Sequence, residues 1–223
     1  MTRPSHVRAV AVAVCLAAAA LGGCVKPKSV DDYFPLAVGN RWSWSLTATG
    51  GDRPLSQEIV EARADAGHAG DVRYLLDASG GRYYLRDAHG VSLSIEPGIW
   101  TVLIQDPLTL GSRFEGARSE GLSFGVGAET PAPNDPVLRP VPAAGYKVIT
   151  GFDRTITVRA GTFARCLEVT HVAGPIIGVK YFAPQVGLVL SESWIERQGV
   201  RSRMSRQELV SYEIAKQDGK PKR

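Results

Sequence analysis

Apolar and polar residues alternate along much of the chain, which is the pattern of a strand with one buried face. The clearest example is Trp42–Thr47, which reads W-S-W-S-L-T. Glycine-containing turn signals follow such runs at short intervals, as between antiparallel strands. The further predicted strands are Ser56–Arg63, Val72–Asp77, Arg82–Asp87, Val91–Ile95, Trp100–Ile104, Lys147–Thr150, Thr155–Arg159, Arg165–Thr170, Gly178–Phe182, Leu188–Ile195 and Arg201–Tyr212.

Helical periodicity is weak throughout the chain. Glu58–Ala66 and Glu208–Lys216 are the two segments that could form short helices. A sheet with this many strands must curl or split. The pattern therefore predicts a mainly β fold, a curved antiparallel sheet or partial β-barrel with few short helices.

One proline-rich segment interrupts the strands. Residues 129–142 read ETPAPNDPVLRPVP and contain five prolines. Proline cannot donate a ladder hydrogen bond, so this segment is predicted to be a long exposed loop. We expect a single β domain over residues 33–214 that carries this loop. A basic tail, residues 215–223, is predicted to be disordered.

The N-terminus has the features of an export signal. Two arginines and no acid precede the uncharged run Ala9–Leu21, which is too short to span a bilayer. The run ends in Leu21-Gly22-Gly23-Cys24, which resembles the lipobox of bacterial lipoproteins. The resemblance implies a signal peptide over residues 1–23, cleavage between Gly23 and Cys24, lipidation of Cys24 and a tether over residues 24–32. A plain secretory signal and an uncleaved anchor are the alternatives.

The predicted lipidation also implies a location. More than one acyl chain is expected on Cys24, and two chains suffice for stable attachment to a lipid bilayer. Val25 and Lys26 follow the cysteine, where an aspartate retains some lipoproteins at the inner membrane. The resemblance therefore implies a lipid-anchored protein of the cell envelope, at the outer membrane and facing the periplasm.

Charge and cysteine content argue against a nucleic-acid-binding protein and against a protein with an internal disulfide. The 26 Lys and Arg residues against 22 Asp and Glu residues give a net charge of +4, and removing two arginines with the leader lowers it to +2. This surplus is too small to indicate nucleic-acid binding. Cys15 leaves with the leader and Cys24 is acylated, so Cys166 has no partner for an internal disulfide. Its apolar neighbours predict a buried strand cysteine.

Motifs for metal or cofactor chemistry are missing from the sequence. It contains no H-E-x-x-H, no C-x-x-C and no glycine-rich phosphate loop between a strand and a helix. We therefore expect no cofactor and no metal. A metal site assembled from distant residues stays open.

One segment matches a catalytic motif. Residues 121–125 read G-L-S-F-G, and Ser123 is followed by Asp135 or Asp153 and then by His171, in the order of a serine hydrolase. The motif requires a strand before the serine and a helix after it. Here a charged segment precedes it and the proline-rich loop follows it. We expect that the chain is not an enzyme and keep the hydrolase as the weaker alternative.

Three further segments resemble a known family. Residues 33–42 read YFPLAVGNRW, residues 158–163 read VRAGTF and residues 183–188 read APQVGL. They resemble the YFPLxxGNxW, VxAGTF and WYAPxVG motifs of a broad family of uncharacterised bacterial lipoproteins, with Tyr181-Phe182 in place of the usual Trp-Tyr. The resemblance implies a curved sheet similar to those of the Lol-type lipoprotein carriers, and it implies no catalytic residues.

The aromatic residues are the candidate binding residues. On a concave sheet they are predicted to line a cavity for an apolar ligand, and the alternative is that they form the core. We therefore expect a non-enzymatic, membrane-anchored envelope lipoprotein that binds an apolar ligand or an envelope protein partner. A purely structural outer-membrane lipoprotein is a further alternative. The candidate lining residues are Trp42, Trp44, Tyr83, Tyr84, Trp100, Tyr181, Phe182 and Trp194.

Overall fold

The computed structural model of the chain describes residues 29–48, 51–64, 70–76, 82–96, 99–119 and 145–215. The predicted signal peptide with Gly23, the lipidated Cys24, and Ser123 and Asp135 lie outside the described residues, as do the loop 129–142 and most of the basic tail. Those assignments stay predictions.

The described residues form one short helix and fourteen strands, so the prediction of a mainly β fold is confirmed. The helix is α1 (Val30–Tyr33). The strands are β1 (Arg41–Ala48), β2 (Gly51–Glu58), β3 (Glu61–Ala64), β4 (Val72–Leu75), β5 (Tyr83–Arg86), β6 (Gly90–Glu96), β7 (Ile99–Gln105), β8 (Arg113–Glu115), β9 (Ala117–Ser119), β10 (Tyr146–Val158), β11 (Gly161–Ala173), β12 (Ile176–Ala183), β13 (Gly187–Arg197) and β14 (Val200–Glu213).

The strands form two antiparallel sheets. The large sheet has the order β2-β1-β14-β13-β12-β11-β10-β8, and the small sheet has the order β3-β4-β5-β6-β7-β9. The sheet is curved and does not close into a barrel. Pro54 lies in β2, the edge strand of the large sheet, where its missing N–H removes no ladder bond.

The chain passes from one sheet to the other at Ile59. The Ile59 N–H donates to the Asn40 carbonyl at 2.9 Å, whereas the next N–H, of Val60, donates to the Leu75 carbonyl of the small sheet at 2.9 Å. Ile59 is completely buried at this junction. The predicted single strand Ser56–Arg63 is therefore wrong, because its two ends pair with different neighbours.

Both predicted short helices are strands. Glu58 belongs to β2, residues 61–64 form β3, and residues 208–213 belong to β14. Over Glu208–Glu213 the chain pairs with β1, and at Glu208 it also pairs with Leu190 of β13. These long-range pairings override a weak local preference for helix.

The helix α1 begins the structured body earlier than predicted. Val30 is completely buried, and the Gln185 N–H donates to the Asp32 carbonyl at 2.7 Å. A carboxylate oxygen of Asp32 accepts from the Ser29 N–H at 3.0 Å, which caps the helix. The last residues of the predicted tether, residues 29–32, therefore pack against the β domain.

The long β10–β11 hairpin bends the large sheet. Its register shifts between Ile149 and Ile156, and Asp153 and Arg165 have positive φ values of 60° and 57°. Such bulges increase local twist. The bend brings the hairpin tip to β14, where the Ala160 N–H donates to the Leu209 carbonyl at 3.0 Å.

The two sheets share one hydrophobic core. Val91 and Ile104 of the small sheet and Ile149, Leu167 and Phe182 of the large sheet are all fully buried within it. Because both sheets contribute to this core, the small sheet covers apolar surface that a single open sheet would expose.

Candidate functional site

The eight aromatic residues predicted to line a ligand cavity divide into two groups. Five have exposed fractions of 4% or less, and the other three are half-buried. The buried group is Trp42, Trp44, Tyr84, Trp100 and Phe182, and the half-buried group is Tyr83, Tyr181 and Trp194.

The buried aromatic rings pack around Phe34, which directly follows α1. The Phe34 ring centroid lies 5.0 Å from Tyr84, 6.0 Å from Phe182 and 6.4 Å from Trp42. One edge contact and two tilted contacts at these distances are typical of a filled core. Trp42, Tyr84 and Phe182 therefore belong to the hydrophobic core together with Phe34, which is the alternative arrangement for these rings.

The two buried tryptophans near the N-terminus also make directed hydrogen bonds. The Trp42 Nε1–H donates to the Val186 carbonyl at 2.7 Å, and the Trp44 Nε1–H donates to the Leu188 carbonyl at 3.1 Å. Gly187 between these carbonyls has a φ of +100°, a conformation that favours glycine. The GNxW and APxVGL segments are therefore one structural unit.

Asn40 connects the same unit to both ends of the body. Its side chain is completely buried, its Nδ2 donates to the Pro35 carbonyl at 2.9 Å, and its Oδ1 accepts from the Ala215 N–H at 2.9 Å. These bonds satisfy backbone groups that lie outside the strand ladders. The YFPLxxGNxW segment therefore has a structural role in this chain.

The VRAGTF segment forms the tip of the β10–β11 hairpin. Val158 pairs with Gly161, whose φ is +134°, and Phe163 packs against Tyr212 of β14 with ring centroids 5.9 Å apart. The hairpin tip therefore packs against β14 at the bend of the large sheet.

One acid of the hydrolase alternative, Asp153, lies far from His171. His171 is the cross-strand partner of Lys147, whereas Asp153 is exposed and lies six residues further along β10. At about 3.3 Å per residue the separation far exceeds hydrogen-bond distance. Asp153 therefore cannot hydrogen-bond to His171 and orient its ring, so Asp153 is not the acid of a catalytic triad with His171.

Cys166 is buried, with its Sγ 3.4 Å from the Phe163 carbonyl. Burial is the main cause that raises the pKa of its thiol to about 11. A thiol in this setting is a weak nucleophile.

An open groove of about 470 Å³ lies along β1 and β2 beside the tip of the β10–β11 hairpin. In the groove wall Arg159 pairs with Glu208 at 2.7 Å, and Arg53 is exposed without an ion pair among the described residues. The groove therefore combines an exposed guanidinium group with serine hydroxyls and apolar surface. Its lining residues are Ser43, Trp44, Ser45, Asp52, Arg53, Pro54, Leu55, Ser56, Arg159 and Val210.

A second polar feature crosses five strands of the large sheet. Lys147, His171, Gly178, Ser193 and Ser205 are successive cross-strand partners on β10 to β14, and we call them the polar row. Cross-strand partners share one face of a sheet. The Ser193 and Ser205 hydroxyl oxygens lie 2.7 Å apart.

The polar row begins at a buried lysine. Lys147 is 1% exposed, and its Nζ donates to the Val102 carbonyl of the small sheet. Burial lowers the pKa of Lys147 well below its ordinary value, and Lys180 lowers it further. Burial, followed by Lys147 and Lys180, lowers the pKa of His171 to about 4, so its ring is neutral at pH 7.

Sequence reasoning missed the polar row, although a signal existed. Lys147 alternates in phase with Ile149, and His171 alternates in phase with Val169. A lysine in the apolar phase of a strand indicates a buried polar position.

Metal-ligating side chains do not converge within the described ranges, where no group of three or more His, Cys, Asp or Glu residues could hold an ion. Among the same residues no helix has the length and apolar character needed to cross a bilayer.

The chain matches no protein-family model and no curated protein sequence. Solved structures similar to it include a proposed exported protein with a YmcC-like fold from Bacteroides fragilis, at 13% identity and a TM-score of 0.43, covering 82% of this chain and 99% of that one. A proposed lipoprotein from Parabacteroides distasonis is 15% identical with a TM-score of 0.37, covering 81% of this chain and 98% of that one. At these identities and TM-scores the two likenesses carry no conclusion about the function of this chain.

Proposed function

We propose that the chain is a lipid-anchored lipoprotein of the cell envelope, held at the outer membrane through Cys24, which acts without catalysis by binding an envelope protein partner. The observation that favours a partner over an apolar ligand is the filled concave face, where Trp42, Tyr84 and Phe182 pack around Phe34. A carrier of an apolar ligand requires an apolar cavity at that position.

The distance between Cys24 and the body supports close attachment to the membrane. Ser29 is the first described residue, and Val30 is already buried in the core. Five residue steps separate Cys24 from Ser29, a reach of about 17 Å when fully extended. An acylated Cys24 would therefore hold the end of the body that carries α1 close to the bilayer surface.

The groove beside β2 is the proposed docking surface, and its occupant is an acidic segment of the partner protein. Arg53 is exposed without an ion pair among the described residues, and Val210 is 40% exposed beside it. A carboxylate near Arg53 would complete a charge-assisted pair, while Leu55 and Val210 would supply apolar contact area.

Replacing Cys24 by serine is expected to move the protein out of the membrane fraction of cells. Serine keeps the size of the side chain and removes the thiol that is acylated. The measurement is fractionation of intact cells, with incorporation of a labelled fatty acid. Cys166→Ser is the matched control and is expected to retain both the label and the membrane location. Equal labelling of the Cys24→Ser variant would contradict the anchoring proposal.

A photo-crosslinking residue at Arg53 or at Val210 is expected to give the same crosslinked partner in intact cells. The control position is Gln198, in the β13–β14 turn away from the groove, which is expected to give no such product. Arg53→Glu, combined with the crosslinker at Val210, is expected to weaken this product about tenfold or more by charge repulsion. An equal yield from Gln198, or bound lipid in the native mass spectrum of the purified protein, would overturn partner docking at the groove.

A further inference from the structure

We propose that the envelope partner binds by adding an extended strand to the free edge of β2, with an acidic side chain beside Arg53 and an apolar side chain beside Leu55. This inference rests on the proposed function, because it states how the partner at the groove would be held. It adds backbone hydrogen bonds along β2 to the side-chain contacts of the groove, and it specifies the sequence of the partner segment.

β2 is the longest of the four outermost strands in the two sheets. It has eight residues, whereas β3 has four and β8 and β9 have three each. All eight residues pair with β1 without a register shift, so the edge is regular over its whole length. β10 also extends past β8, but its pairing with β11 shifts register three times. Short and bulged edges resist pairing with another chain, and among the described edges β2 has neither feature.

The backbone groups of β2 point alternately towards β1 and away from it. The Ile59 N–H, just after β2, donates to the Asn40 carbonyl on the β1 side. The odd-numbered residues of β2 therefore bond to β1, and the even-numbered residues direct their N–H and carbonyl groups to the open edge. The N–H groups of Asp52 and Ser56 accordingly have no hydrogen-bond partner among the described residues. These groups are available to an added strand.

Pro54 occupies one of the even-numbered positions, where its missing N–H costs no bond to β1. A strand added to β2 would lose one donor at Pro54 and keep the donors of Asp52 and Ser56 on either side. An interrupted edge stabilises an arbitrary strand less than a continuous edge does. Selection of the partner therefore depends on the side chains of the groove, which lies along this same stretch of β2.

Two side chains of the groove specify the partner segment. Arg53 and Leu55 are two residues apart on β2, so they share one face of the sheet. Arg53 is exposed without an ion pair among the described residues, and Leu55 is half-buried in the groove wall. Their neighbours on an added strand would also lie two residues apart. A carboxylate beside Arg53 and an apolar side chain beside Leu55 complete both contacts, so the segment reads acidic-x-apolar or apolar-x-acidic, according to its direction.

Ser56→Pro tests the backbone contact, because it removes an N–H that faces the open edge and leaves the bonds to β1 in place. With the photo-crosslinker at Val210 in intact cells, Ser56→Pro is expected to lower the yield of the partner product about tenfold. Ser56→Ala is the matched control, since it removes the hydroxyl and keeps the N–H, and it is expected to give the wild-type yield. Urea denaturation is expected to show that Ser56→Pro is folded with nearly unchanged stability.

Amide hydrogen exchange gives a second readout that requires no edge variant. The samples are the purified lipidated protein in a neutral detergent, alone and as the product crosslinked through Val210. In the protein alone the amides of Asp52 and Ser56 are expected to exchange much faster than those of Arg53 and Leu55, which bond to β1. In the crosslinked product the Asp52 and Ser56 amides are expected to exchange at least about tenfold more slowly than in the protein alone.

Strand addition and docking at the groove can fail separately. Equal Val210 products from Ser56→Pro and the wild type, or unchanged exchange at Asp52 and Ser56 in the product, would overturn strand addition and leave docking at the groove intact. A wild-type chain that gives no Val210 product would overturn both. A product made of two copies of this chain would overturn the envelope partner and identify a second molecule as the added strand.

Discussion

Replacing Trp42 by alanine is expected to lower the free energy of unfolding by about 4–5 kcal/mol, a typical cost for truncating a large buried aromatic residue. Trp42 is 2% exposed, and its ring stacks on Trp44 with centroids 6.3 Å apart. Its Nε1–H also donates to the Val186 carbonyl. The variant therefore leaves a cavity in the core and an unpaired carbonyl at the β12–β13 turn.

Urea denaturation followed by far-UV circular dichroism measures this change. Trp194→Ala is the matched control, because Trp194 is half-buried on β13 beside Arg201, and its loss is expected to cost no more than about 1 kcal/mol. Trp42→Phe keeps most of the ring volume and isolates the hydrogen bond, at about 1–2 kcal/mol. Equal losses for Trp42→Ala and Trp194→Ala would contradict a structural role for Trp42 and return it to the candidate ligand-lining residues.

Replacing Asn40 by alanine is expected to lower the free energy of unfolding by about 3–4 kcal/mol, because two hydrogen bonds disappear and a buried carbonyl and a half-buried N–H lose their partner. The partners are the Pro35 carbonyl and the Ala215 N–H, which belong to opposite ends of the body. Both termini of the β domain are therefore expected to loosen together.

Hydrogen exchange of the Ala215 amide and urea denaturation measure this prediction. The control is Ser202→Ala, a polar residue that is exposed on β14 and whose replacement is expected to change the free energy of unfolding by less than about 0.5 kcal/mol. An Asn40→Ala variant with unchanged protection of Ala215 would show that the hydrogen bond to Ala215 contributes little.

The two expected effects give residues of the family-like motifs a structural role. Trp42 reaches across β14 to the backbone around Gly187, and Asn40 reaches Pro35 and Ala215. The side chains of Trp42 and Asn40 each need a particular donor or acceptor at a fixed position. Hydrogen bonding in the core therefore accounts for these two residues of the motif.

The alternation of apolar and polar residues determined the fold class and most strand positions. Successive side chains of a half-buried strand face the core and the solvent in turn, so the pattern is visible in a short stretch of sequence. The predictions of signal peptide and lipidation likewise come from local sequence, where charge, apolar length and Cys24 are in register.

Tertiary structure decided which strands are neighbours and which face of each is covered. Nothing local indicates that the chain changes sheets between Ile59 and Val60, or that Phe34 fills the space beneath Trp42. The same holds for the polar row, since Lys147 and Ser205 are distant in sequence and align only through pairing of five strands. Long-range pairing depends on the combined burial of many residues, and for this reason the core and the polar row were decided by the fold.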